Sequence, residues 1–167
     1  EISKAMNLTN EKNLIVALII DVLNQTGNVY YDIFIMDIIT FYRNRKATNI
    51  SALLKYLIST IDNENLIKTF ESYTEAVQND GKLCRNYNDI WTYIIKNGNK
   101  EKVENAFDEI VNCLLLFIEH KDSDVRRAVI MAFVQLSFVL PEKTSEAVQK
   151  LTKVQQRLIR FYRDQRD

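Results

Sequence analysis

His120 is the only histidine in the chain, so neither a Ser-His-Asp arrangement nor a multi-histidine metal site can be built around it. Beside a predicted helix end, a dipole-stabilised or solvent-facing imidazole is the expected state. Cys84 and Cys113 show no metal-ligand spacing, and two cysteines do not make a disulfide framework. Reduced thiols inside a cell are expected. The carboxylate pairs Asp108-Glu109 and Glu101/Glu104 fall on polar helix surfaces, where solvated charge is the ordinary explanation. With only Gly27, Gly81 and Gly98 as glycines, no phosphate-cradling loop can be written. The expectation is a non-enzyme with no cofactor and no metal.

The spacing that does suggest a surface is cationic. Lys150, Lys153, Arg157 and Arg160 recur at helical intervals and predict one stripe, with Leu151, Val154, Leu158 and Phe161 on an adjacent stripe. Residues 150–167 hold six basic and two acidic side chains, a local charge of +4, whereas the whole chain balances 22 basic against 22 acidic. An acidic partner can dock on such a stripe. The plainer alternative is a solvated face beside an apolar stripe that faces the core. Overall neutrality removes the field that nucleic-acid and anionic-membrane binders carry.

The elements that position these residues follow from composition and periodicity. At 167 residues and 47% hydrophobic, one domain is expected, burying roughly two-thirds of its unfolded surface. Three glycines and one proline leave few strand and turn breakers, which favours helices. The longest apolar runs, Leu14 to Ile20 and Val111 to Ile118 with its Asn112 interruption, are shorter than the ~18–20 residues of a membrane span. A soluble protein is expected. The start at Glu1, without a charged-then-apolar leader, predicts a piece of a longer protein.

Periodicity places helix one from Thr9 or Glu11 to Gly27, with Leu14, Ile15, Ala17, Leu18 and Val22 as its apolar positions. A second helix spans Val29 to Arg43, with Arg45 and Lys46 suiting its end. A third follows a cap at Asn49 or Ser51, and a fourth runs from Asp62 or Asn63 to Val77. Asn79-Asp80-Gly81 predicts a turn, residues 81–88 a polar loop, and Asn88 to Gly98 a fifth helix. Lys100 to Glu119 predicts the longest helix and the central packing element. A seventh runs from Ser123 or Asp124 to Pro141, and a last one covers Leu151 to Arg163. Tyr30, Tyr31, Phe41, Tyr42, Trp91 and Tyr93 read as core aromatics. Short connections between successive helices predict an all-α stack of about four antiparallel pairs, an α-solenoid.

The run His120-Lys121-Asp122-Ser123-Asp124-Val125-Arg126-Arg127-Ala128 resembles the opening of the second helix of a HEAT repeat. An acidic residue caps exposed N–H groups, Val125 enters the core, Arg126 is expected to reach neighbouring acidic turns, and Ala128 allows close packing. Together with Leu151, Leu158, Ile159, Tyr162 and Arg163 in the closing helix, the chain from Val103 onward resembles the C-terminal domain of CLASP proteins. Pro141 stands where many members have glycine, and the asparagine-rich composition suits a fungal member. The resemblance implies a HEAT-like adaptor that recruits plus-end, kinetochore or spindle proteins and can homodimerise. It places the protein in the cytoplasm and cytoskeleton, on the spindle and kinetochore. A TOG-type tubulin-binding domain is the alternative, though Gln25-Thr26-Gly27-Asn28 lacks the tryptophan that such domains turn toward tubulin.

Overall fold

The computed structural model describes residues 11–42 and 50–166, with side chains from Val16 onward. Eleven α-helices and one 3-10 turn account for the described residues, with no strand among them. They are α1 (Glu11–Gln25), the 3-10 turn (Tyr31–Phe34), α2 (Ile35–Phe41), α3 (Ile50–Thr60), α4 (Asn63–Ser72) and α5 (Thr74–Val77). Then come α6 (Gly81–Asn97), α7 (Lys100–Asn105), α8 (Phe107–Leu115), α9 (Ser123–Val139), α10 (Pro141–Gln149) and α11 (Lys153–Asp164). The protein is all-α. Thr9, Arg43, Arg45, Lys46 and Asn49 lie outside the described residues.

Side-chain caps set the starts of α4, α6, α7, α9 and α11. Asp62 Oδ1 accepts from Glu64 N at 2.9 Å, Asn99 Oδ1 from Lys102 N at 3.2 Å, and Asp122 Oδ1 from Asp124 N at 2.8 Å. Each satisfies a donor that the first turn leaves free. Asp80 Oδ1 accepts from both Lys82 N (2.8 Å) and Leu83 N (3.1 Å), so the fifth helix begins at Gly81 and not at Asn88. The expected 81–88 loop is therefore helical. Its polar residues point inward: Asn86 Nδ2 donates to Ile39 O and Asn88 Nδ2 to Cys84 O, both at 2.8 Å.

Two predicted long helices are broken rods. The 100–119 segment bends at Ala106 (φ −96°, ψ 18°) into α7 and α8 and ends at Leu115. The fourth bends at Tyr73 (φ −88°, ψ 0°) into α4 and α5. The second starts late, as a 3-10 turn from Tyr31, after Gly27 and Asn28 both take positive φ. Pro141 ends α9 as expected but also opens α10, at a first-turn position where its missing N–H costs nothing.

The core is organised by α6 and α9, each 17 residues long, which pack directly on one another. They displace the 100–119 segment from its expected central role. Trp91 is fully buried, with its ring edge-on to Phe70 (centroids 6.1 Å) and Tyr87 (5.9 Å). From α9, Val125, Val129, Ala132, Phe133 and Leu136 are all at 0% exposure, each large one contributing about 1.5–3 kcal/mol by burial. At the other end, Leu18 and Val22 are half exposed while Val16 and Leu23 carry the core face of α1. Tyr30, expected in the core, is 58% exposed.

Helix starts lie beside helix starts. Arg85 Nη1 meets Asp124 Oδ2 at 3.0 Å, so α6 and α9 run in one direction and residues 98–122 return the chain. Asn99 N donates to Asn63 Oδ1 at 2.6 Å, which aligns α4 and α7 in the same way. Lys143 Nζ reaches Glu104 Oε1 at 3.3 Å and draws α10 against α7.

Candidate functional site

The closing helix α11 starts at a capping box. Thr152 Oγ1 accepts from Gln155 N (3.3 Å), and Gln155 Oε1 accepts from Thr152 N (3.0 Å). Gln155 Nε2 also donates to Glu119, and Gln156 Nε2 to Leu151 O at 2.8 Å, which ties the first turn to the chain before it. Further along, Ile159 is the one residue of α11 that is buried, at 4% exposure, against α9. Tyr162 is half-buried, with the Arg127 guanidinium 5.9 Å above its ring. This charge-on-ring contact strengthens the α9–α11 seam.

All four predicted cations are exposed, but they do not form one stripe on one helix. Lys153, Arg157 and Arg160 share a face of α11. Lys150 is the C-cap of α10 and lines a different surface, the groove between α8 and α10. That groove encloses about 760 Å³, with Phe107, Val111, Leu115 and Leu151 on its walls and Glu104, Asp108, Glu146 and Lys143 at its polar edge. Among the described residues, none of Lys153, Arg157 and Arg160 has an acidic partner within ion-pair distance. Lys68, Arg85, Lys102 and Lys143, by contrast, all reach carboxylates.

The adjacent apolar stripe, the core-facing one in the plainer alternative, points outward. Val154 is 66%, Leu158 41% and Phe161 55% exposed, and only Leu151 of that set is half-buried. The reason is visible in the periodicity. Ile159 and Tyr162 form a second apolar line on the opposite flank, and a helix docked by one edge can bury only one of the two. Sequence reasoning missed the exposed triplet because both lines carry residues of the same type.

Among the described residues no other cluster offers chemistry. His120 Nδ1 accepts from Asp122 N at 3.1 Å, a loop contact. Arg126, expected to reach neighbouring acidic turns, instead donates to the carbonyls of His120 (2.6 Å) and Lys121 (2.9 Å), closing its own loop. Arg85 makes the contact to the acidic turn. Burial pushes the Cys84 thiol up to about 11, helped by the nearby Asp80 carboxylate, while Sγ donates to Val77 O at 2.9 Å. Burial likewise raises Cys113 and the Tyr87 hydroxyl. Thiols held neutral in this way are poor nucleophiles. Among the described residues no three His, Cys, Asp or Glu side chains gather as a metal site, and no helix is long and apolar enough to cross a membrane.

Compared with protein-family models and with curated proteins, the chain matches none.

Proposed function

We propose that this chain is a non-catalytic protein-interaction domain, a HEAT-repeat-like stack of about four helix pairs, of the kind that closes CLASP-family microtubule-stabilising proteins. In that role it recruits plus-end, kinetochore or spindle partners in the cytoplasm and on the spindle, and it can also self-associate. The observation that carries the reading is the spacing of its cross-chain contacts. Asn63–Asn99 spans 36 residues, Arg85–Asp124 39, Glu104–Lys143 39 and Glu119–Gln155 36. An interval that recurs at 36–39 residues is what a stack of similar units produces, because each unit touches its neighbour. It is slightly shorter than the about 40–47 residues of a HEAT unit, and other contacts depart from it, Tyr56–Asn28 at 28 residues and Asn86–Ile39 at 47. The Asp122 cap, the buried Val125 and the 3%-exposed Ala128 fit the same unit.

The test is a pull-down from mitotic extract with the whole chain as bait, paired with sedimentation against free tubulin dimers. Enrichment of plus-end or kinetochore proteins without tubulin is the expected result. Low-micromolar binding of free tubulin replaces the adaptor with a TOG-type reading, and enrichment of neither class overturns both.

A further inference from the structure

We propose that the outer edge of α11 is a docking site for an acidic amphipathic helix of another protein, a reading that rests on the adaptor role above. Val154, Leu158 and Phe161 follow one another at four and three residues and stand 41–66% exposed, so they form a continuous ridge. Lys153, Arg157 and Arg160 run parallel to that ridge on one side, exposed and without ion pairs among the described residues. On the other side Ile159 and Tyr162 fasten the helix to α9. The ridge is therefore presented by a helix held in place at its back, so docking does not have to order it.

Charge selects the occupant. A second copy placed edge to edge across a two-fold axis would set Lys153, Arg157 and Arg160 against the same three cations, an unfavourable pairing. A helix carrying aliphatic side chains at i, i+4 and i+7 and carboxylates along one flank meets both features at once. An anionic bilayer is a poorer match. The cations lie along one flank of the ridge only, and on its other flank Gln155, Ile159 and Tyr162 face the body of the domain, so no second row of cations is available to anionic headgroups.

The test uses two labelled synthetic helices with the same leucine ridge, flanked by glutamates in one and by lysines in the other, titrated with the whole chain and followed by fluorescence anisotropy. The glutamate peptide is expected to bind, and the lysine peptide at least about tenfold more weakly. Arg157→Glu with Arg160→Glu, and separately Leu158→Ser with Phe161→Ser, should each weaken the glutamate peptide at least about tenfold. Unchanged circular dichroism keeps these losses attributable to the surface. Equal binding of the two peptides, no binding of either, or no effect of the variants overturns the proposal. So does binding to phosphatidylserine vesicles that is lost on the same charge reversal, or a doubled mass by light scattering that the Leu158→Ser, Phe161→Ser pair abolishes. No microtubule protein enters this assay, so its failure is separable from failure of the CLASP-like reading.

Discussion

The side-chain amide of Asn86 donates to the carbonyl oxygen of Ile39 across 2.8 Å, and joins the second turn of α6 to the end of α2, 47 residues earlier. The last carbonyls of a helix have no partner within it, so Asn86 supplies from a neighbouring helix what the end of α2 lacks. Asn88, two residues on, is equally buried, but its Nδ2 donates only to Cys84 O within α6, while the Oδ1 of each asparagine finds no partner among the described residues. The two asparagines should therefore behave differently. Asn86→Leu strands a buried carbonyl and should cost about 1–3 kcal/mol, whereas Asn88→Leu leaves Cys84 O to the helix's own i, i+4 bond and should change stability by less than about 1 kcal/mol. Urea unfolding of the two variants checks the contrast, and equal losses would contradict it.

These asparagines also mark where the sequence stops being legible. Helix class and the caps at Asp62 and Asp122 follow from periodicity and from short polar residues placed before apolar runs, but the number of helices does not, since periodicity predicts eight and eleven α-helices form among the described residues. Residues 81–88 do not follow either, because glycine and asparagine score as loop formers when nothing reveals that Asn86 has a carbonyl to satisfy. The bends at Tyr73 and Ala106 carry no proline or glycine and come from packing. On α11 the cations were visible and the choice of buried edge was not, since Ile159 and Leu158 are interchangeable to any hydrophobicity pattern.

Two glycines are needed for different reasons. Gly98 has ordinary φ (−73°), yet a Cβ there would stand 2.7 Å from Ile94 O, 3.2 Å from Val103 Cγ2 and 3.3 Å from Asn63 Oδ1. Gly27 has φ +62° and open space around it. Gly98→Ala should cost about 1–3 kcal/mol by overpacking the α4–α7 junction. Gly27→Ala should cost about 1–2 kcal/mol through the left-handed backbone alone. Asn tolerates that conformation, so Gly27→Asn should recover most of the loss, while Gly98→Asn should recover none. Thermal melts of the four variants measure this.

The buried thiols predict a pH dependence with a definite sign. Cys84 is fully buried and its thiol is raised from 9.0 to about 11, with burial the first cause and Asp80 the second. The folded state thus holds its proton more tightly than the unfolded chain does. That stabilising difference is complete below pH 9.0 and is lost as pH rises toward about 11. Cys113 shifts in the same direction. Cys84→Ala should reduce the alkaline slope of stability, at the cost of a small cavity at neutral pH. In the native protein both thiols should react with an aromatic disulfide only as fast as the core opens, and denaturant should release both at once. Fast reaction of either thiol in native buffer would show that the α5–α6 core is open.

Ile159 and Leu158 sit side by side on α11 and should have opposite consequences when truncated. Ile159 alone on that helix is buried, while Leu158 is 41% exposed. Removing the Ile159 side chain deletes the apolar anchor that holds α11 on α9 and should cost about 2–4 kcal/mol, within the range for buried aliphatic truncation. The capping box and the Arg127–Tyr162 contact remain but are solvent-accessible and weak. The cost should therefore appear first as local release. Amide hydrogens of residues 156–163 should exchange much faster in Ile159→Ala while those of α6 and α9 keep their protection. Leu158→Ala should leave exchange across α11 nearly unchanged, because the side chain it removes touches solvent. If both variants loosen α11 equally, both edges of the helix are docked, and the ridge proposed for a partner is part of the core.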